Sequence, residues 1–199
     1  MRITGGTLKN RSVECPKGII RPAMDRMRES VFSILGDLTG LSFLDLFTGS
    51  GICGLEAYSR GAYPVYLVEK DTLKFPILLK NTAIAGKKLE CKKMPAELFI
   101  KRAKISFDII YIDPPFPYKF HLELLENIAV SGILKPNGSV LIHRPSEKEL
   151  PDIIRNPTGG KDIDTPAEQS LLIKKDKRVY GRSIVDFYVK KAADGTGKK

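Results

Sequence analysis

The sequence predicts an α/β fold: a mostly parallel sheet of seven strands with helices on both faces, ended by an antiparallel hairpin. Three observations predict it. From residue 41 onwards, short apolar runs alternate with segments of helical period. The apolar runs are nearly continuous rather than alternating, as strands covered on both faces require. The last two runs follow one another around Tyr180-Gly181 with no helix between them, so they read as an antiparallel pair.

The elements follow in order. Residues 1–20 carry Gly5-Gly6, a loose polar/apolar alternation and Pro16-Lys17-Gly18, which reads as a small β-hairpin or extended arm. Residues 25–36 form a helix: Met27, Val31, Ile34 and Leu35 recur at helical spacing, Asp25 is the expected N-cap and Gly36 the stop. The first strand, 41–47 (LSFLDLF), runs into a glycine-rich turn and a helix over 52–61. A second strand spans 64–70, and a helix spans 72–85 with Pro76 tolerated near its first turn. A short strand over 89–94 and a helix over 96–103 precede the strongest strand, 107–113 (FDIIYID), which Pro114-Pro115 terminates. Residues 121–132 are helical, and Pro136-Asn137-Gly138 turns the chain into a fifth strand, 139–144. Residues 155–166, rich in Pro, Gly and Asp, read as a loop before the hairpin strands 167–175 and 182–190. The organisation is then an N-terminal hairpin-and-helix extension (1–36), a main domain (37–191) and a frayed tail (192–199).

A chain of 199 residues can fill one core and carry a small appendage. No apolar run approaches the roughly 20 residues that span a bilayer, and the N-terminus has no apolar core of a signal peptide. Cys15, Cys53 and Cys91 are odd in number, far apart and match no metal spacing, so a reduced, cytoplasmic, metal-free protein is expected. The net charge of +10 favours a polyanionic partner, because each cation placed on a phosphate releases a counterion.

Asp45-Leu46-Phe47-Thr48-Gly49-Ser50-Gly51 lies between a strand and a helix. The glycines let the backbone turn tightly and approach a ligand, and the following helix start offers N–H groups to it. Gly49, Gly51 and Gly54 also satisfy G-x-G-x-x-G, with Glu69 downstream, so this stretch alone is compatible with NAD. Two features point instead to a methionine-containing ligand. Asp45 stands at the strand end, where it could hold an ammonium, and a long segment precedes the first strand. Glu69 can accept hydrogen bonds from ribose hydroxyls in either case.

Asp113-Pro114-Pro115-Phe116 closes the fourth strand. A proline pair cannot continue a central strand, so the chain turns there and brings the Asp113 carboxylate and the Pro114 carbonyl to the crevice. Two acceptors can grip the two hydrogens of an exocyclic base amine and orient its nitrogen, while Phe116 stacks on the base. A methyl group already activated on a sulfonium leaves the protein to supply alignment and electrostatics.

With these motifs in view, the chain resembles the RsmD family of bacterial 16S ribosomal RNA guanine-N2 methyltransferases. The resemblance runs from about residue 2 to 190 through Arg2-Ile3-x-Gly5-Gly6, Arg21-Pro22-x-x-Asp25-Arg26-x-Arg28-Glu29, the Asp45–Gly51 turn, Gly54-Leu55-Glu56-Ala57, Ser59-Arg60-Gly61-Ala62 and Asp113–Phe116. It implies a class I methyltransferase (Rossmann-like) fold, S-adenosyl-L-methionine as cofactor with S-adenosyl-L-homocysteine as product, and a guanine of small-subunit ribosomal RNA as substrate. Asp113, Pro114, Pro115 and Phe116 are then the candidate catalytic residues. Asp45, Phe47, Gly49, Ser50, Gly51, Glu69, Lys70, Ala96, Glu97 and Asp113 are the candidate cofactor residues. Three positions depart from the family pattern: Pro95 replaces a polar residue near the adenine, His143-Arg144 an acid after the fifth strand, and Ala23 a threonine.

Arg2, Lys9, Arg11, Arg21, Arg26 and Arg28 crowd the first 28 residues and are the candidate RNA-binding residues. Lys174, Lys175, Lys177 and Arg178 read as charges guarding a sheet edge. His121 reads as an ordinary helix residue, whereas His143 ends a strand near the crevice. A monomer is expected. The competing readings are an adenine-N6 methyltransferase on DNA or RNA, an NAD-linked oxidoreductase, and a non-catalytic RNA-binding assembly factor.

Overall fold

A computed structural model of the protein describes residues 1–15, 22–86, 89–155 and 172–191, with the side chains of 22–24 excepted. The expectations for Arg21, most of the 155–166 loop and the 192–199 tail lie outside the described residues. The helices are α1 (Pro22–Leu35), α2 (Ile52–Ser59), α3 (Phe75–Thr82, continued by a 3₁₀ turn), α4 (Ala96–Arg102) and α5 (His121–Val130). The strands are β1 (Phe43–Leu46), β2 (Val65–Val68), β3 (Glu90–Lys92), β4 (Phe107–Ile112), β5 (Leu134–Pro145), β6 (Ile153–Ile154), β7 (Leu172–Tyr180) and β8 (Ser183–Lys190).

They form one sheet in the order β3-β2-β1-β4-β5-β8-β7-β6. The first five strands run parallel, and β8, β7 and β6 pair antiparallel. Every residue of β1 is buried, because β1 sits between β2 and β4 with helices on both faces. Side chains alternate between two cores. Phe43, Ile109, Tyr111 and Leu141 face the core shared with α1, α2 and Leu78 of α3, while Leu44, Leu46, Ile110, Ile112 and Ile142 face the core of α4 and α5. Asp45, two residues after Phe43, therefore points to the α2 face.

Three details differ from expectation. The sheet has an eighth strand, because two-residue β6 pairs with β7 and is too short to show as an apolar run. The Pro136-Asn137-Gly138 segment is not a turn ahead of β5 but lies within it. The β4–β5 register shifts between Phe107 and Ile109, and Asn137 takes φ 60°, so the extra residues are absorbed as a bulge. Helix α1 starts at Pro22 rather than after Asp25, since proline needs no N–H partner in a first turn. Asp25 is thus inside the helix and pairs with Arg28 at 2.7 Å.

The N-terminal arm is the short hairpin the sequence suggests: Ile3 N donates to the Arg11 carbonyl (3.0 Å), Asn10 N to the Ile3 carbonyl (2.9 Å) and Val13 N to the Met1 carbonyl (2.9 Å), around one antiparallel bridge, Arg2 to Ser12. Its intervening polar groups bond to α2. Thr4 N donates to Glu56 Oε2 (2.8 Å), Thr7 N to the Ser59 carbonyl (2.8 Å) and Leu8 N to Ser59 Oγ (2.8 Å). Ile3 and Val13 anchor the arm in the core. Gly6 has φ 72°, and a Cβ there would lie 1.7 Å from the Ser59 carbonyl oxygen. Gly6→Ala is expected to destabilise by about 2 kcal/mol or more, since both the backbone well and the space are wrong. A thermal melt should show a Tm lower by about 4–8 °C; an unchanged Tm would mean that the arm undocks freely.

Among the described residues no helix is long and apolar enough to cross a membrane, and the three cysteines are free.

Candidate active site

Strands β1, β2 and β3 build outward in one direction, and the chain then returns to place β4 on the other side of β1. The connections leaving β1 and β4 part at this point and open a crevice beyond the strand ends. The ends are tied together: Asp113 N donates to the Leu46 carbonyl (3.3 Å) and Thr48 N to the Val68 carbonyl (3.1 Å). Asp113, Glu69 and the Asp45–Gly51 turn therefore meet at one edge.

The three glycines of the turn have different reasons to be glycine. Gly49 has φ 55°, and a Cβ there would meet nothing within 4 Å. At Gly51 (φ 82°) a Cβ would come within 2.6 Å of Leu78 Cδ1, and at Gly54 within 2.5 Å of Leu67 Cδ2. The last two let α2 pack closely on α3 and β2, so part of the G-x-G-x-x-G spacing serves packing. Ser50 is buried, and its carbonyl accepts from Asn81 Nδ2 at 2.9 Å.

Asp45 was expected to hold a ligand ammonium, but it lies beneath the turn at 1% exposure. Its Oδ2 accepts from Thr48 Oγ1 and from Gly54 N (3.0 Å), which makes it a brace for the turn. Burial pushes its carboxyl up to about 7, against hydrogen bonds that pull the other way. Relative to the ordinary value of 3.8, the folded chain holds this proton where the unfolded chain has lost it. That contribution is favourable at low pH, is lost as pH rises from about 4 to about 7, and is flat above. Asp45→Asn keeps an acceptor for the turn and removes the titration. The urea-midpoint difference between variant and wild type should thus move in the variant's favour across that window, by up to about 1.4 kcal/mol per pH unit. A pH-independent difference would show that Asp45 is charged in the fold.

Glu69 is 6% exposed. Its Oε2 accepts from Gly49 N (2.9 Å) and its Oε1 from Asp71 N (2.8 Å). Each carboxylate oxygen takes about two hydrogen bonds, so each keeps capacity for a ribose hydroxyl. Phe47, held at φ 62°, meets Tyr118 edge-on with ring centres 5.1 Å apart. Tyr118 donates to Glu97 Oε1 at 2.7 Å, which draws the start of α4 to the same wall. Ala96 is buried there, and Lys70 is exposed.

In the second motif Pro114 is buried while Pro115 and Phe116 are exposed. Tyr118 N donates to the Pro115 carbonyl (2.8 Å) and closes the turn. The Asp113 side chain is a quarter exposed, and its Oδ1 lies 2.6 Å from His143 Nδ1. Phe116 meets the His143 ring edge-on at 6.2 Å. From the sequence alone, His143 only ends a strand near the crevice. The signal that finds it is parity: it shares a β5 face with Leu141, which pairs with Tyr111 of adjacent β4, and Asp113, one residue past β4, continues the Tyr111 face.

Of the basic residues, Arg2, Lys9, Arg11 and Arg26 are exposed. Arg28 is not available to a phosphate, which corrects the expectation for it. It is 4% exposed, donates to Asp25 Oδ1 (2.7 Å) and the Arg2 carbonyl (2.8 Å), and lies 3.9 Å from fully buried Glu56. The terminal hairpin is also less bare than expected. Lys174 pairs with Asp152 (3.0 Å), Lys177 with Glu149 (3.6 Å) and Arg178 with Asp176 (2.7 Å), and β6 covers part of β7. Sequence reasoning missed Arg182. The Pro145–Ser183 register puts this exposed residue at the crevice end of the sheet, and nearby Tyr180 donates its hydroxyl to Ser30 Oγ of α1 at 2.8 Å.

The donor set fits S-adenosylmethionine: a buried acid at the end of β2 for the ribose, a turn with open space at Gly49, and an aromatic wall from Phe47 and Tyr118. A parallel sheet with this strand order, an antiparallel strand beyond β5 and this crevice define a class I, S-adenosylmethionine-dependent methyltransferase. The family described as Conserved hypothetical protein 95 matches residues 1–174. Ribosomal RNA small subunit methyltransferase D of Escherichia coli K12 is 30% identical over 159 residues, covering 78% of this chain and 80% of its own. The solved Escherichia coli yhhF structure is 28% identical with a TM-score of 0.80, covering 97% of this chain and 99% of its own. A solved methyltransferase of Pyrococcus furiosus, at 19% identity, TM-score 0.60 and coverage of 91% and 89%, shares the fold. The chain belongs to the RsmD family.

Proposed function

We propose that the protein methylates the exocyclic N2 amine of a guanine in small-subunit ribosomal RNA. The observation that carries this reading is Asp113, which is bonded through its own backbone to the end of β1 and so stands beside the glycine turn. The name of the Escherichia coli relative supports the RNA substrate. S-adenosylmethionine supplies an activated methyl group when bound. Glu69 would take its ribose hydroxyls, the Gly49–Gly51 turn its methionine end, and Phe47 and Tyr118 one wall of the site.

The residues of this chain then act on the amine. Asp113 Oδ2 and the Pro114 carbonyl accept its two N–H groups and present the nitrogen lone pair to the methyl donor. Alkylation makes the nitrogen strongly acidic, and the proton leaves through the Asp113 oxygen to which it is bonded. Phe116 stacks on a base swung out of its helix or loop. Arg2, Lys9, Arg11, Arg26 and Arg182 follow the flanking phosphates.

Incubation with labelled S-adenosylmethionine and small ribosomal subunits from cells lacking the protein should yield labelled N2-methylguanosine at one position. N6-methyladenosine instead would favour the adenine reading, and binding of NAD in place of S-adenosylmethionine would remove methyl transfer altogether. For the RNA face, Arg26→Glu with Arg182→Glu should weaken RNA binding and flatten the plot of log affinity against log salt by about 0.7–0.9 per lost contact. An unchanged slope would remove both residues from the interface.

A further inference from the structure

We infer that His143 is a positioning residue for Asp113: its Nδ1–H holds one carboxylate oxygen and keeps the other presented to the substrate amine as an unprotonated acceptor. The inference rests on the methyl-transfer reading above. His143 Nδ1 and Asp113 Oδ1 are 2.6 Å apart, and the His143 side chain is 5% exposed. The ring is held at the end of β5, where Ile142 pairs with Ile112 of β4, and Phe116 closes against it.

The direction of the hydrogen bond follows from the other ring nitrogen. Among the described residues, His143 Nε2 is buried with no hydrogen-bond partner. A proton there would be an unsatisfied buried donor, whereas a bare lone pair is the less costly orphan. A doubly protonated ring would carry that donor and a buried charge as well. Titratable groups face the ring from two sides. His121 of α5 interacts with His143 and has its own basicity lowered to about 4, by burial first and then by Lys148, His143 and Arg144. On the other side stand the Asp113 carboxylate and the Phe116 ring. With Nε2 unpartnered among the described residues, the proton between the two groups belongs to Nδ1, and Asp113 is the acceptor. A carboxylate gripped at one oxygen cannot rotate freely or take a proton at that oxygen. An exocyclic amine, which offers only donors here, needs an acceptor of this kind.

Two measurements test this. The chain has two histidines, so nitrogen-15 NMR of the free protein reads each ring, with His143→Asn assigning the signals. We expect the His143 proton on Nδ1, with a signal displaced by Asp113→Ala while that of His121 holds; a proton on Nε2 overturns the inference. In methyl transfer, His143→Ala should lower kcat about 10- to 100-fold, the loss expected for a hydrogen bond to a charged group. The KM for S-adenosylmethionine should stay within about twofold, because Glu69 and the glycine turn are untouched. His143→Asn places an amide N–H near the Nδ1 position and should recover most of kcat. Full turnover by the alanine variant, or asparagine no better than alanine at equal Tm, overturns the role. A wild-type chain that methylates no RNA overturns the proposed function and the positioning role with it, whereas the NMR result decides the His143–Asp113 bond independently.

Discussion

Asp113→Ala is expected to lower methyl transfer at least about 10³-fold while the fold and cofactor affinity persist. The magnitude follows from what is removed. A preorganised hydrogen-bonding group facing the reacting atoms contributes about 10²–10³, and loss of the proton's exit adds to it. Little else is lost. The tie to β1 runs through Asp113 N and the Leu46 carbonyl, which alanine keeps. The bond to His143 disappears, but the ring is still packed by Phe116 and buried at the β5 end. Glu69 and Gly49 bond to each other without Asp113, so the cofactor groove survives. Asp113→Asn should be nearly as damaging. If its amide oxygen bonds His143 Nδ1, its NH₂ faces the substrate amine, donor against donor. Single-turnover transfer and calorimetric titration with S-adenosylmethionine separate the two effects. Undiminished transfer by the alanine variant would identify another acceptor; loss of cofactor binding would place Asp113 in the groove instead.

The parts of this site that were legible from sequence are those whose signal is local. The glycine turn and the Asp113–Phe116 turn each follow a continuous apolar run, and the run, the glycines and the prolines are all visible within a few residues. Their meeting at one edge follows from the parallel order, which the alternation of strands and helices implied. The rest depends on registers between distant segments. Nothing near residue 143 says that β5 lies beside β4 so that His143 reaches Asp113. Arg28 sat in a basic cluster, and only the packing of α1 against α2 shows that Glu56 claims it. Asp45 looked like a ligand residue because it stands at a strand end, yet strand parity turns it under the turn towards Gly54. The bulge in β5 was hidden because Pro136-Asn137-Gly138 carries the same chemistry as a true turn.

Arg144 shows how adjacent residues of one strand divide between function and support. In sequence it forms, with His143, one departure from the family pattern after the fifth strand, but successive strand residues face opposite ways. The Arg144 side chain is fully buried. Its Nε donates to Asp186 Oδ2 of β8 at 2.5 Å, and its Nη1 donates to the Lys148 carbonyl. The Ile142–Asp186 and Arg144–Ile184 register makes this a diagonal pair across the β5–β8 seam. Asp186→Ala leaves a guanidinium that cannot shed its proton in a site closed to water. The expected loss is about 3–5 kcal/mol, or a Tm lower by about 6–20 °C. Glu149 and Lys174 do not rescue it: Glu149 is mostly exposed at 3.4 Å from Nη2, and Lys174 adds a second positive charge near the vacated position. Replacing both partners, Arg144→Leu with Asp186→Leu, removes the buried charge as well as the bond and should recover most of the stability. The same double variant should retain methyl transfer within several-fold, since His143 and Asp113 lie on the other face of the sheet. A double variant that folds normally but fails in catalysis would show that the Arg144 pair holds His143 in register; one as unstable as Asp186→Ala would show that the seam needs the ion pair itself.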